Sequence, residues 1–303
     1  MRKNNTWKRD FQRNKYKYLI FLPVFTYLIV FCYKPMYGAV IAFQNYRPAK
    51  GIIGSPWVGL KNFRDFFNDF YFPRILKNTL LLSTYSILWG FPIPIIFALL
   101  LNEITSTRFK RIIQTTSYLP HFISLVVVCS LIKQFAMTDG LINDIVELLG
   151  GERTPILQYP GNFRTVYVAS GVWQQFGWNS IIYLAALSGI DVALYEAAQI
   201  DGASRFQRVL HVTLPGIAPT IVMLLILRVG SMLSLGSEKV LLLYNTATYS
   251  TADIIATYTY RKGLVEANFS YGTAVGLFNS VVNVIFLVLM NALSKKISNI
   301  GLF

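Results

Sequence analysis

The sequence predicts an all-α, polytopic membrane protein with six transmembrane helices. Of its 303 residues, 54% are hydrophobic and only 14% are charged, whereas soluble domains carry about 25% charged residues. The charges cluster and leave long uncharged windows, and a helix needs roughly 20 apolar residues to cross a bilayer. The windows lack the alternation of barrel strands, and backbone groups in lipid must pair within their own segment, so helices are expected.

Six windows are long enough, or nearly so, to cross a bilayer. The first transmembrane helix is expected at 18–43, where a window from Tyr18 to Tyr33 continues past Lys34. The fifth window is interrupted in the same way by Arg228. The windows after the first are 78–102, 112–132, 165–190, 212–237 and 267–294.

The N-terminal segment 1–17 carries the densest group of Lys and Arg and lies directly before the first window. Basic residues beside a membrane helix stay in the cytoplasm. Six crossings from this start place the C-terminal segment 293–303 in the cytoplasm and the loop 44–74 outside. Counted over all loops, the cytoplasmic excess of Lys and Arg is small, so the orientation rests mainly on the N-terminal segment.

The net charge of +14 does not indicate a nucleic-acid-binding protein, because no basic stripe interleaves with aromatic residues in a soluble segment. The sequence contains no GxxxxGK[ST] phosphate-binding loop, so the chain has no ATP site of that kind. It also lacks HExxH, CxxC and GxSxG patterns. We therefore expect no catalytic residue, no metal site and no cofactor bound by this chain.

The segment between the fourth and fifth windows has helix signals at regular positions. Asp191 suits the N-cap of a short helix, and Gly202 suits the left-handed residue that ends it. Ser204 and Gln207 have the spacing of a capping box. Pro215 is expected to end the unit and to open the next membrane helix. The pattern predicts two short surface helices with a tight bend, a shape that suits insertion into a groove of another protein.

This segment resembles the EAA loop of ATP-binding-cassette (ABC) importer permeases. The family pattern is Glu-Ala-Ala, three residues, Gly, nine residues, an aliphatic residue, any residue and Leu-Pro. The sequence fills every position, with Val212 in place of the commoner Ile, and Asp201 and Ala203 resemble the sugar-importer branch. The resemblance implies that the loop 191–215 couples to an ATPase through these residues: Glu196, Ala197, Ala198, Asp201, Gly202, Ala203, Arg205, Leu214 and Pro215.

Three further stretches resemble LplB-type permeases of complex-carbohydrate importers, so that the likeness covers nearly the whole chain. The stretches are Tyr37–Phe43, Gly54–Phe63 and Leu241–Asn245. The resemblance implies a MalF-like type I ABC importer permease fold. Its core is expected at 76–292, preceded by one extra N-terminal helix.

The resemblance also implies partners and a location. The expected partners are a second homologous permease subunit, an ATPase dimer that binds ATP and Mg, and an extracellular solute-binding protein that delivers an oligosaccharide. The expected location is the plasma membrane of a bacterium, in contact with lipid and with both termini in the cytoplasm. The identity, charge and length of the sugar are left open.

The fourth window mixes aromatic rings with amides, which suits a carbohydrate path because sugars stack on rings and hydrogen-bond to amides. The alternative is helix packing, in which polar side chains join helices and Trp lies near the interface. The candidate pathway residues are Trp173, Gln174, Trp178, Asn179 and Tyr183, together with Arg228 of the fifth window. Gln175 belongs to the same group.

Arg228 lies about 13 positions past Pro215, which is about 20 Å along a helix. A charge at that depth costs at least ~2.5 kcal/mol and is usually functional or paired. We expect Arg228 to face the pathway or to form an ion pair rather than to extend its charge to the membrane surface. Glu238 is a weaker candidate.

Two rival functions differ in class from an ABC importer. A secondary transporter would use acids within the membrane for ion coupling, but no Asp or Glu falls within the six windows. A membrane scaffold would explain the helices but not the EAA loop. The loop 44–74, rich in Gly, Pro and aromatic residues, is either a packed cap or a docking surface for an outside partner, and both roles are compatible.

Overall fold

A computed structural model describes residues 6–298 and 301–302. These residues form helices and loops, and they contain no strand beyond one antiparallel bridge between Gln44 and Trp57. The all-α prediction is confirmed. The α-helices are Thr6–Tyr27, Lys34–Met36, Gly51–Gly54, Lys61–Phe67, Phe72–Gly90, Pro92–Asn102, Thr107–Tyr118, Leu125–Phe135, Leu141–Leu148, Pro160–Leu187, Val192–Ile200, Arg205–Arg208, Leu214–Gly230, Ser237–Leu243, Tyr249–Ala252, Ile255–Tyr260 and Phe269–Ser298.

Four to six segments of the described chain suit membrane crossing by length and composition. Four are long enough without combining a bent pair, namely Asp10–Phe43, Phe72–Asn102, Arg205–Gly230 and Phe269–Lys296. Two more are bent helix pairs, Thr107–Phe122 with Leu125–Phe135 at 95° and Pro160–Leu187 with Val192–Ile200 at 77°. The number is six, as predicted, when each bent pair is one crossing.

The first helix begins at Thr6, well before the apolar window that starts at Tyr18. It therefore includes basic residues that precede the window. Lys34 does not interrupt the helical path. The change of geometry comes from Pro35, which has no backbone N–H and cannot continue the regular ladder. The chain is a π-helix over Leu28–Tyr33 and a 3₁₀-helix over Tyr37–Phe43, the usual local adjustments to such a break.

The third window, 112–132, was predicted as one helix and is broken instead. Thr107–Tyr118 ends in a 3₁₀ turn that contains Pro120, and a new helix starts after Ser124. The Ser124 hydroxyl accepts a hydrogen bond from the Val127 N–H at 3.4 Å, as an N-cap does. Hydropathy does not register this break, because the residues around it remain apolar.

The described residues divide into two compact units. The first contains 6–67 and 262–277, and in it the loop after Phe43 folds back on itself. The Asn62 side-chain amide donates to the carbonyls of Ala42 and Gln44 at 2.8 and 3.1 Å. The rings of Phe43 and Trp57 stack with centroids 5.6 Å apart. The loop 44–74 is therefore packed in this part, as one of its two expected roles requires.

The second unit contains 68–261, 278–298 and 301–302. Pro160–Leu187 is its central helix and packs against Phe72–Gly90, Pro92–Asn102 and Leu214–Gly230. One helix crossing is so close that a Cβ at Gly177 would overlap the backbone carbonyl of Ser117. Burial of apolar side chains on this central helix therefore positions the elements that line the site described below.

The Asp253 carboxylate is fully buried in the second unit. It accepts two hydrogen bonds from the Arg261 guanidinium, at 2.9 and 2.7 Å, and one from the Thr257 hydroxyl at 2.8 Å. Its backbone carbonyl accepts a bond of 3.0 Å from the Asn78 side chain. The hydrogen bonds to Asp253 raise the pKa of Arg261 above its ordinary value, so this guanidinium stays charged.

We expect Asp253→Asn to lower the free energy of unfolding by about 3 kcal/mol, because it leaves the Arg261 charge without its counter-ion. The measurement is denaturant unfolding of the purified protein in detergent. Asp144→Asn is the matched control: its ion pair with Arg153 is 2.7 Å long, but the Asp144 side chain is 51% exposed. Exposed pairs contribute at most about 1 kcal/mol, and equal losses in the two variants would contradict the role of Asp253.

Candidate functional site

The loop Asp191–Pro215, here called the coupling loop, starts with the helix Val192–Ile200. The Asp191 carboxylate caps it by accepting a bond from the Ala193 N–H at 2.9 Å. Gly202 ends it with φ of +75°. The N–H of Gly202 bonds the carbonyl of Gln199 at 3.1 Å, and the N–H of Ala203 bonds that of Ala198 at 2.9 Å. These two bonds define a Schellman motif, so both predicted helix ends are confirmed.

The capping box predicted in the second half of the coupling loop is present. The Ser204 N–H donates to the Gln207 side-chain oxygen at 2.8 Å, and the Gln207 N–H donates to the Ser204 hydroxyl at 3.4 Å. The expectation of a separate surface helix that ends at Pro215 was wrong. The chain stays helical from Arg205 to Gly230, because a π-helical stretch at Val209–Thr213 changes the hydrogen-bond register before Pro215.

The two helices of the coupling loop are joined by a side-chain hydrogen bond. The Tyr195 hydroxyl donates to the Thr213 hydroxyl at 3.1 Å, and the Thr213 hydroxyl donates to the Arg208 carbonyl at 3.3 Å. Thr213 is buried. This bond links the first helix to the base of the membrane segment, so the loop has a defined shape within the isolated subunit.

The outer surface of the coupling loop is apolar and exposed. The exposed fraction is 87% for Ile200, 75% for Phe206 and 66% for Val192. Glu196 is also exposed, and within the described residues it forms no ion pair with Arg205 or Arg208. Glu196 could face either an ATPase or the basic residues of its own loop. The second alternative is not realised in the described residues, and the Glu196 carboxylate is accessible to a partner.

The predicted pathway residues fall on two cavities and one groove of the second unit. Gln174, Asn179 and Arg228 line a cavity of about 370 Å³. Asn179 and Arg228 also line a neighbouring cavity of about 600 Å³, together with Trp178 and Tyr183. The Trp173 side chain lies elsewhere, in a groove of about 830 Å³.

Several of these side chains also have packing roles. The Gln174 amide donates to the Ile123 carbonyl at 3.1 Å, and Tyr183 is 3% exposed within a hydrophobic cluster. The Trp178 ring stacks on His121 with centroids 4.3 Å apart. Asn179 and Arg228 are exposed on the cavities, and Arg228 has no ion-pair partner among the residues described. The structural-pair alternative for Arg228 is therefore not realised within this subunit.

Sequence analysis did not single out Lys239, which lines the same cavity as Arg228. Lys239 follows Glu238 in a short segment without a long apolar window, so no sequence signal distinguishes it from a surface lysine. The structure places it in the helix Ser237–Leu243, which packs against Leu125–Phe135 and Pro160–Leu187. As a result the Lys239 side chain is 9% exposed.

Long apolar helices, cavities between them that contain the polar side chains of Asn179 and Arg228, and a preformed, exposed two-helix loop are features of a membrane transport subunit. The family model of "binding-protein-dependent transport system inner membrane component" matches residues 90–299. The chain belongs to this family, which sets aside the secondary-transporter and scaffold alternatives. It is thus a permease subunit integral to the inner membrane.

Relatives and solved structures agree with this assignment. The chain is 45% identical over 302 residues to Protein LplB of Bacillus subtilis (strain 168), covering 99% of this chain and 95% of that protein. It is 46% identical to the polygalacturonan/rhamnogalacturonan transport system permease protein YteP of the same organism, covering 96% and 91%. A bacterial alginate ABC transporter, solved with an alginate pentasaccharide-bound periplasmic protein, contains a chain that matches with a TM-score of 0.90 at 41% identity, covering 99% and 100%.

The hydrogen bond between Tyr195 and Thr213 predicts a local effect on the coupling loop. Tyr195→Phe removes one hydroxyl whose net contribution is about 1 kcal/mol. Amide hydrogen exchange across Val192–Ile200 should therefore become faster, while the membrane helices keep their protection. Tyr159→Phe is the matched control, because Tyr159 is 51% exposed. Unchanged exchange in Tyr195→Phe would show that the hydroxyl pair does not hold the loop.

Proposed function

We propose that the coupling loop is the docking element for an ATPase subunit. We also propose that this chain translocates sugar with the energy of ATP hydrolysis, which the ATPase transmits through the coupling loop. The observation that carries the proposal is the exposed apolar surface of a loop whose shape is already fixed. The starts of both helices of the coupling loop are capped, at Asp191 and at Ser204. The Tyr195 hydroxyl joins the two helices through its hydrogen bond to Thr213. An exposed apolar patch on a rigid element is typical of a protein interaction site.

The continuous helix Arg205–Gly230 supports a simple mechanical coupling. Closure of an ATPase dimer around ATP and Mg would displace the coupling loop. The same helix carries Arg228 near its other end, on the two cavities. Displacement at the loop would therefore change the cavities directly. Such coupling requires that each partner contacts the two states differently, and the ATPase and the sugar supply those contacts at opposite ends.

The remaining partners follow from the same role. We propose that this chain assembles with a second homologous permease subunit, with an ATPase dimer and with an extracellular solute-binding protein that delivers the substrate. ATP and Mg are bound by the ATPase subunits, not by this chain. The Glu-Ala-Ala segment and the basic N-terminus lie in the cytoplasm, together with the C-terminus, and the loop 44–74 lies outside the cell.

The proposed substrate is an acidic oligosaccharide. One similar protein is a polygalacturonan/rhamnogalacturonan transport system permease, and a similar solved complex imports the acidic polysaccharide alginate. The cavities of this chain agree with that class, because they combine the Arg228 guanidinium with aromatic rings and with the amide of Asn179. Arg228 has no acidic partner in the described chain that would neutralise its charge.

Gly202→Asp should abolish coupled uptake while the chain still folds and inserts. A Cβ at Gly202 meets open space, so the cost within the subunit is the positive φ alone, about 1 kcal/mol. In the assembled transporter the added side chain would meet the ATPase. Co-purification of the ATPase and uptake by the complex are the measurements. Glu196→Ala should weaken uptake less, because it removes a contact without adding bulk.

Gly150→Asp is a matched control for Gly202→Asp. Gly150 has φ of +84°, faces open space and ends its helix with the same pair of backbone bonds, from Gly150 to Glu147 and from Gly151 to Val146. The backbone cost is therefore equal, but the position lies outside the coupling loop. Normal uptake by Gly202→Asp, or equal loss in both variants, would refute the docking role.

The orientation is tested by cysteine labelling in intact cells. Gln199 is exposed in the coupling loop, and Ile53 is 95% exposed in the loop 44–74. In a background that lacks Cys32 and Cys129, an impermeant maleimide should label Ile53→Cys and should label Gln199→Cys only after the cells are opened. Labelling of Gln199→Cys in intact cells would invert the proposed topology.

A further inference from the structure

The Lys239 ammonium is buried without an acidic partner. Its Nζ donates to the Tyr167 carbonyl at 2.7 Å and lies 4.6 Å from the centroid of the Tyr167 ring. Within the part of the chain that the structure describes, no carboxylate forms an ion pair with it, although Glu238 is its neighbour in sequence. The contacts that hold Lys239 are thus one carbonyl and one aromatic face.

These contacts leave donor capacity unused. An ammonium group has three N–H donors, and one is taken by the Tyr167 carbonyl. Burying a charge that lacks a counter-ion costs several kcal/mol, and buried charges in proteins are normally paired. A cation held in this way fits a site whose counter-ion arrives with a ligand.

The surroundings of Lys239 leave room for a ligand. Lys239 lines the cavity of about 370 Å³ together with Arg228, Gln175 and Asn179. On the facing helix, a Cβ at Gly171 would lie 3.0 Å from the Lys239 Nζ, so the absence of a side chain at Gly171 makes room for the ammonium at the cavity. The cavity lining contains these two cations and one acid, Glu238, and is therefore positively charged.

We propose that Lys239 binds a carboxylate of the sugar as it passes through this cavity, and that this contact sets the preference for acidic over neutral oligosaccharides. The proposal rests on the permease function and the acidic substrate class given above. The ammonium would donate charge-assisted hydrogen bonds, which are roughly twice as strong as neutral ones. Arg228 supplies a second cation on the same cavity, and the amides of Gln175 and Asn179 offer partners for sugar hydroxyls.

Lys239→Met separates binding from a structural role, because it keeps the length of the side chain and removes the charge. Uptake by the complete transporter is compared for a short oligogalacturonate and for its fully methyl-esterified, neutral form, each at a concentration that saturates the binding protein. The variant should lose on the order of tenfold in uptake of the acid and retain wild-type uptake of the ester. Lys61→Met, at an exposed lysine, is the control and should change neither.

Two further measurements keep this test decisive. The thermal midpoint of the Lys239→Met complex should not fall, because the change removes a buried charge without a counter-ion. Gly171→Ala displaces the ammonium without removing it, and it should reduce uptake of the acid alone.

Each other outcome overturns the inference. Equal loss of acid and ester in Lys239→Met, with a lower thermal midpoint, would show that Lys239 only supports the fold. Unchanged uptake of both would show that it does not contact the sugar. A wild-type transporter that prefers the ester, or carries neither probe, would refute the acidic substrate class itself and the role of Lys239 with it.

Discussion

The arrangement of the second unit depends on the ion pair between the buried Asp253 carboxylate and the Arg261 guanidinium. A charge without water must be fully paired, and Asp253 meets this requirement with Arg261 and with the Thr257 hydroxyl. Its backbone carbonyl accepts from Asn78, and the Asn78 oxygen in turn accepts from Arg164 at 2.8 Å. These bonds join the helix Phe72–Gly90 to the central helix, and the cavity that holds the proposed sugar site lies between those helices.

The coupling loop and the cavities are connected by one uninterrupted helical segment, Arg205–Gly230. A proline within a membrane segment normally marks a break or a kink, but the π-helical stretch before Pro215 keeps the path helical. The loop is held to the base of this segment by the bond between Tyr195 and Thr213. The physical route from the proposed ATPase contact to the proposed substrate cavity is thus a single helix rather than a chain of separate packing contacts.

The two cations of the cavity have different environments. Arg228 is exposed on the lining, where its guanidinium is available to water or ligand. Lys239 is buried in contact with the Tyr167 carbonyl and ring, so that water screens its charge only weakly. Electrostatic interactions strengthen as water is excluded, and we therefore expect the buried ammonium to have the greater influence on charge preference. Neither cation lines the apolar groove that contains Trp173, and this groove suits helix or lipid contacts instead.

The sequence by itself determined the features that arise within a few residues of chain. The cap at Asp191, the left-handed Gly202, the Ser204 box and the apolar membrane segments depend on local hydrogen bonds and hydropathy, which short patterns report directly. Only the tertiary structure decided which charges are buried. Asp253 lies in a loop and Lys239 in a short helix, both in segments of ordinary composition. Their burial results from packing against helices distant in sequence, because hydropathy along a chain carries no information about which segments exclude water from one another.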